Sequence, residues 1–347
     1  MREFAPITRH DNGWIQARVP LPFALRWVNA YLLPGESGWT LIDPGLRSPV
    51  TEAFWEARLP ELGIGWRDVC AIVLTHHHPD HYGLSGWLQE RTGAPVYMSE
   101  TARHYAMRMW GEEERRSPLF SEALVEAFRD HGLPEPLIEG LRGHISGVFG
   151  QVLPHPADVR PLPPPGETFR MAGAEWELIG GEGHAPSHIA FYDPARGVAL
   201  CGDQVLPDIT PNIGWMPDSD PDPLGSYLSS LRAMLPLGGV FAYPGHRDPF
   251  ADLAGRAAAL LEHHDRRLLR MLELIEEAGA LTAFELCERL FGARLRGNPH
   301  NLRFAMAETI AHLVRLELSG AAKRWIGPGP EGRDVVRFSK AAVICGA

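Results

Sequence analysis

The sequence predicts an α/β domain with a helical insertion, followed by a smaller C-terminal helical module. Three observations carry that reading. Over residues 1–100, short apolar runs of β character alternate with segments of helical spacing. Runs of the same kind return at Trp176–Ile179, Ile189–Tyr192, Val198–Cys201 and Val240–Tyr243. From about residue 255 the spacing is helical, until two β-like runs close the chain.

Taken in order, Val28–Leu33 and Trp39–Asp43 read as paired strands around a Pro-Gly-Glu-Ser-Gly turn, with Pro44-Gly45 stopping the second. Ala71–Thr75 is a buried-strand pattern. Leu84–Arg91 is helical, with Gly93 in the position that ends a helix, and Ala94–Met98 returns as a strand. Residues 100–165 read as a mostly helical insertion: Ser121–His131 is amphipathic, and the proline-rich run Leu153–Pro165 is an extended connector. Beyond it, Arg266–Glu277 is a helix, Thr282-Ala-Phe-Glu285 is a capping box opening a second, and Asn301–Ser319 is a third, ended by Gly320. Ala322–Ile326 and Val335–Phe338 flank a Gly-Pro-Gly-Pro-Glu-Gly turn. Three helices and a hairpin outline a winged helix. The expected division is therefore 1–255 and 256–347.

Composition narrows the function classes. The 43 acidic against 33 basic residues give a net charge of −10, which disfavours a general nucleic-acid coat. No apolar run approaches the ~18 residues of a spanning helix, and Met1–Trp14 lacks a secretory apolar core, so a cytoplasmic location without membrane contact is expected. The four cysteines, Cys70, Cys201, Cys287 and Cys345, are scattered without a C-x-x-C pair. They indicate neither a disulfide framework nor a thiolate metal site, and Cys70 and Cys201 read as packed strand residues.

The chemistry concentrates in His76-x-His78-x-Asp80-His81, directly after the Ala71–Thr75 strand. Three further candidates each follow a strand: His184 in Gly183-His184, Asp203 in Gly202-Asp203, and His246 in Gly245-His246. Imidazole and carboxylate without thiolate suit zinc, iron or manganese. The set is too large for one tetrahedral ion, which points to two. His76, His78 and His184 divide naturally onto one metal, Asp80, His81 and His246 onto the other, with Asp203 bridging. His77 reads as pointing away, His188 as either support for the ligands or a structural residue, Tyr82 as packing or as a residue reaching the substrate, and His263 and His264 as solvated.

These motifs, in this order, resemble the metallo-β-lactamase superfamily, over roughly residues 15–255. The resemblance implies an αββα sandwich with the metals at one edge. It also implies that Asp43 supports the metal loop, and that a hydroxide held between two divalent ions, zinc in the first instance, is the nucleophile, with Asp80 orienting it. His78 stands where flavin-linked di-iron members carry glutamate, and Asp203 where one lactamase branch carries cysteine. Gly202-Asp-Gln-Val-Leu-Pro, Ile209-Thr-Pro-Asn212, Asp222-Pro-Leu and Tyr227-Leu-Ser-Ser-Leu231 resemble the glyoxalase II-like and β-lactamase-like-protein-2 group. That group implies a small ester or thioester as substrate. Two alternatives stand beside it. A persulfide dioxygenase would place a single iron on His76, His184 and Asp203, and a single-strand endoribonuclease or other phosphodiesterase would use the same centre on nucleic acid. The C-terminal module reads as a nucleic-acid surface through Lys323, Arg324, Arg333 and Arg337, as a substrate wall, or as a homodimer contact. Met107, Met109, Trp110, Phe120, Leu124 and Phe128 read either as an apolar lid for an acyl chain or as ordinary packing of the insertion.

Overall fold

The computed structural model describes residues 5–111, 119–147, 149–329 and 332–342. The chain divides into two compact units, the first made of residues 1–116, 148–211 and 230–257, the second of 117–147, 212–229 and 258–347.

The first unit holds two sheets. One contains β1 (Ile7–Arg9), β2 (Ile15–Pro20), β3 (Trp27–Gly35), β4 (Gly38–Ile42), β5 (Val69–Val73), β6 (Val96–Met98) and β7 (Val159–Pro161), in that spatial order. Strands β1 to β4 pair antiparallel, and β4 to β7 pair parallel. The antiparallel half follows from short turns such as Pro34–Gly38, while the parallel half needs crossovers. Among these are α1 (Pro49–Glu61), α2 (Pro79–Tyr82), α3 (Ser85–Thr92) and α4 (Glu100–Trp110). Helix α1 starts on a Ser48 cap with Pro49 at its first position, and α3 ends on left-handed Gly93. The second sheet runs β12 (Phe241–Pro244), β11 (Val198–Gly202), β10 (His188–Asp193), β9 (Ala174–Gly181) and β8 (Thr168–Met171).

One buried core joins the two sheets. Tyr31, Leu33, Ile42 and Val73 of the first, with Trp14 just before β2, meet Trp176, Leu178, Ile189, Phe191, Leu200 and Tyr243 of the second. Two sheets thus pack face to face, with alternating residues of each strand turned inward, as the resemblance leads one to expect.

The proline-rich connector is less plain than its sequence. Within it β7 extends the first sheet by pairing parallel to β6, with Leu162 donating its amide to the Met98 carbonyl. A strand carrying Pro161 is tolerated there because it lies at the sheet edge.

The second unit contains α5 (Leu119–Asp130), α6 (Glu135–Ser146), part of α7 (Pro223–Met234), most of α8 (Leu253–Ala278), then α9 (Ala283–Phe291), α10 (Pro299–Leu318) and the hairpin β13 (Ala322–Pro328) with β14 (Asp334–Lys340). The capping box at Thr282 is formed: its hydroxyl accepts from the Glu285 amide, and the Glu285 carboxylate accepts from the Thr282 amide. Leu124, Val125 and Phe128 of α5 and Leu141 of α6 share a core with Met271, Phe284, Leu302, Met306 and Phe338.

That core changes the reading of the insertion. Residues 117–147 group with the C-terminal residues rather than with the sandwich, because the apolar face of α5 is closed by α8, α9, α10 and β14. Leu124 and Phe128 are packing residues, not a lid. Met109 and Trp110 are buried on α4 in the first unit, and the side chain of Phe120 lies outside the described residues, as does Cys345. His264, expected in solvent, is 1% exposed. It stands on the apolar stripe of α8 with Leu260, Leu268, Met271 and Ile275. Among the described residues, no helix is long and apolar enough to cross a membrane.

Candidate metal centre

Every residue of the candidate centre lies just beyond a strand end of the first unit. The parallel pairs β4/β5 and β11/β12 bring Asp43, His76–His81, Asp203 and His246 to one edge, and His184 follows β9. Two groups form there: His76, His78 and His184, and Asp80, His81 and His246, each with ligand atoms within 4.8 Å of one another. Asp203 lies between them. Its Oδ1 is 3.4 Å from His81 Nε2, and its Oδ2 is 3.3 Å from His246 Nε2 and 3.7 Å from His184 Nε2. Asp80 Oδ2 is 3.2 Å from His246 Nε2.

Hydrogen bonds behind the rings fix which nitrogen faces inward. Asp43, held in a left-handed backbone conformation after β4, accepts from the Thr75 amide at 2.8 Å, the Thr75 hydroxyl at 2.7 Å and His81 Nδ1 at 2.9 Å. The Thr75 proton is committed to that carboxylate, so the hydroxyl oxygen accepts from His76 Nδ1 at 2.9 Å. His246 Nδ1 donates to the Trp27 carbonyl at 2.9 Å. In all three rings Nδ1 donates away from the centre, so Nε2 is the nitrogen turned toward it. A third close group, Asp43, His76 and His81, meets the same distance limit. Asp43 is better read as support, because its oxygens are already occupied by Thr75 and His81.

The donor set fits divalent ions. His76 Nε2 is buried without a hydrogen-bond partner, as is Asp203 Oδ1, an arrangement that costs free energy unless a cation satisfies it. Burial holds His76 and His78 well below the usual histidine range, reinforced by neighbouring rings, so they are neutral. Burial also acts against a charged His246, but Asp203 and Asp80 outweigh it and push its pKa up to about 10. Burial would raise Asp203, yet His246 and His81 hold it well below the carboxylate range. The edge therefore pairs the neutral imidazoles of His76 and His78 with ionised carboxylates, which hold a proton on His81 and His246 that a bound cation would displace.

Two glycines are required by close approach. A Cβ at Gly245 would stand 2.2 Å from Asp203 Oδ1 and 2.6 Å from His81 Cε1. One at Gly202, whose φ is +48°, would stand 2.5 Å from His188 Nε2.

His188 is buried and its Nε2 accepts from the Asp203 amide at 3.2 Å, so it supports the centre from behind. His77 belongs to neither group and lies near Tyr105. The Tyr82 hydroxyl donates to His155 Nδ1, whose Nε2 donates to the Trp110 carbonyl, which is packing. The sequence reading missed Asn29 and Tyr31 on β3. Asn29 Nδ2 donates to the carbonyls of Pro244 and Arg247, its amide donates to the Gly245 carbonyl, and the Tyr31 hydroxyl donates to Pro244. Together they hold the loop that carries His246. The available signal was an asparagine inside the apolar run Val28–Leu33.

In the second unit, Arg324 pairs with Glu317, Arg333 with Asp130 and Glu126, and Arg337 with Glu285. These pairs lend no support to a nucleic-acid surface there.

A profile described as "Metallo-beta-lactamase superfamily" matches residues 26–246, and one described as "Metallo-beta-lactamase-like, C-terminal domain" matches 268–341. The chain is similar to the crystal structure of a metallo-beta-lactamase family protein from Thermus thermophilus, with 37% identity and a TM-score of 0.79, covering 94% of this chain and 98% of that one. A beta-lactamase domain protein from Burkholderia ambifaria is similar at 30% identity and a TM-score of 0.83, covering 98% and 97%. Among curated proteins, the probable metallo-hydrolase YqjP of Bacillus subtilis is 28% identical over 88% of this chain and 93% of its own length. The hydroxyacylglutathione hydrolase GloC of Haemophilus influenzae is 27% identical over 48% and 61%. The atrochrysone carboxyl ACP thioesterase of Emericella nidulans is 26% identical over 62% and 70%.

Proposed function

The chain belongs to the metallo-β-lactamase superfamily, and from that membership we propose that it is a dinuclear metal-dependent hydrolase acting on a thioester or other small ester. The observation that carries the dinuclear reading is Asp203, whose two oxygens face His81 on one side and His184 and His246 on the other. His76, His78 and His184 would hold one ion, and Asp80, His81 and His246 a second, with Asp203 shared. When bound, such ions acidify water to a nucleophile near neutral pH and stabilise charge developing on a carbonyl oxygen. Zinc is the first expectation, with iron or manganese compatible with the same ligands.

The chain's own residues do the positioning. Asp43 and Thr75 lock the His76 and His81 rings, and the Trp27 carbonyl locks His246. Asp80 keeps 21% of its side chain exposed, more than Asp43 or Asp203, which suits a carboxylate that orients the attacking water. The thioester preference draws support from the hydroxyacylglutathione hydrolase and ACP thioesterase relatives. The second group, Asp80, His81 and His246, favours this reading over a mononuclear iron dioxygenase, which would leave it without a role.

The test is a substrate panel on purified protein: acyl-CoA and hydroxyacylglutathione thioesters, lactones and phosphodiesters, together with metal analysis. Thioester or ester turnover with close to two equivalents of metal is expected. Oxygen consumption with glutathione persulfide and a single iron would replace this reading with the dioxygenase, and phosphodiester turnover alone would replace it with the nuclease.

A further inference from the structure

One side chain reaches the backbone on both sides of His246. Asn29 of β3 donates its Nδ2 to the Pro244 carbonyl at 3.0 Å and to the Arg247 carbonyl at 2.6 Å. Its main-chain amide donates to the Gly245 carbonyl at 2.7 Å. Arg247 has a φ of 71°, in the left-handed region. A residue other than glycine keeps such a conformation only where its surroundings hold it, and the hold on its carbonyl comes from Asn29. Two residues earlier on the same strand, the Trp27 carbonyl accepts from His246 Nδ1 at 2.9 Å. Strand β3 thus sets both the backbone and the ring of His246.

What sets Asn29 is Gln16. It stands on β2 opposite Tyr31, on the face that also carries Asn29. Both carboxamides are fully buried. Gln16 Nε2 donates to Asn29 Oδ1 at 2.9 Å, and among the described residues no other hydrogen bond reaches that oxygen. With Nε2 committed to Asn29, Gln16 Oε1 accepts from His10 Nε2 at 3.3 Å. In this row each amide is oriented by its neighbour, and the row ends on the loop of His246. Without Gln16, Asn29 Oδ1 would be a buried acceptor lacking a donor, a costly state that the side chain relieves by shifting off its carbonyls.

We propose that Gln16 is a positioning residue for the candidate metal centre, acting on His246 through the Asn29 carboxamide. Among the described residues no hydrogen bond joins Gln16 to a candidate ligand. The proposal rests on the reading of His246 as a ligand of one of two ions. Its effect therefore falls on that ion and spares the one assigned to His76, His78 and His184.

The test is a chelator challenge of the zinc-loaded, full-length protein, with release of each equivalent followed separately and melting of the metal-free protein measured alongside. The native chain is expected to hold two equivalents. Gln16→Met, of similar length without the carboxamide, should release one of them roughly ten- to hundredfold more readily and keep the other within about twofold. In an Asn29→Ala background the same substitution should add less than about twofold, because its route to His246 is already gone. Gln16→Asn keeps a polar amide on the strand but falls short of Asn29, and should shift release in the same direction. It serves as the second variant should Gln16→Met not fold. A lower melting temperature with release unchanged, or both equivalents loosened equally, makes Gln16 a structural residue and overturns the proposal. An undiminished effect in the Asn29→Ala background overturns the route. A native chain holding fewer than two equivalents overturns the dinuclear reading, and the proposal with it.

Discussion

Two buried groups of histidines lie in this chain, and they are built in opposite ways. At the sandwich edge, His76, His81 and His246 donate outward from Nδ1, and His81 and His246 turn Nε2 toward carboxylates. In the second unit, the pair on α8 and α10 closes on itself. His312 Nδ1 donates to the Glu308 carbonyl at 2.8 Å, so its Nε2 accepts from His264 Nδ1 at 3.1 Å. Burial drives both members of that pair down, His312 to about 4, and no carboxylate counters it. At the edge, carboxylates reverse the effect of burial on His246. Burial of a histidine therefore says little about its role. What separates a candidate ligand from a core residue is which nitrogen the backbone and its partners leave open, and whether an anion waits there.

The largest effect expected from breaking this contrast is at Asp203. Asp203→Ala removes the carboxylate proposed to be shared by both groups, and should lower kcat/KM more than about a hundredfold, beyond the usual cost of losing a supporting residue. Bound metal, counted by elemental analysis, should fall with it. Full metal content and full activity in this variant would refute the shared role.

A smaller loss is expected at Asn29, which touches no candidate ligand side chain. Asn29→Ala leaves the Arg247 carbonyl without this donor and the Pro244 carbonyl with Tyr31 alone. It should cost about 1–3 kcal/mol in denaturant unfolding. Activity should fall roughly tenfold through misplacement of His246, read as weaker metal retention under chelator challenge. A stability loss with unchanged metal retention would reduce Asn29 to a packing role.

The smallest effect on activity is expected at the self-closed pair. The double variant His264→Leu with His312→Leu should keep kcat/KM within about twofold at neutral pH. Its signature is acid stability. Because the folded pKa values lie below the unfolded value of about 6.5, the unfolded chain takes up more protons in acid. The native pair's contribution is thus complete above pH ~6.5 and is lost as pH falls toward about 4. Melting temperatures measured across that range should fall less steeply in the double variant than in the native chain. Equal slopes would show that the pair does not govern acid sensitivity.

The legibility of each part follows its physics. The candidate ligand motif could be read because strand, turn and candidate ligand are contiguous: Ala71–Thr75 runs straight into His76, and Val198–Cys201 leads through Gly202 to Asp203. The two-sheet fold was legible through the family resemblance and the apolar runs. Asn29 stood out only as a polar residue inside the apolar run Val28–Leu33, because the carbonyls it holds lie more than two hundred residues away. His264 was misread although its signal was present. It occupies a core position of the apolar stripe Leu260, Leu268, Met271 and Ile275, and its polarity concealed the period. Helix α5 showed its amphipathic face plainly, but an apolar face names no partner.

That last feature bears on how the chain can be divided. The second unit is gathered from three separate stretches, 117–147, 212–229 and 258–347. Its core cannot be removed by cutting once. A chain ending after residue 257 would keep Leu124, Val125, Phe128 and Leu141 while losing Met271, Phe284, Leu302 and Phe338, which close over them. The remnant would carry an orphaned apolar face of the kind that drives aggregation. Although the unit looks like an appended module in the sequence, the residues that complete its core are interleaved along the chain with those of the first unit.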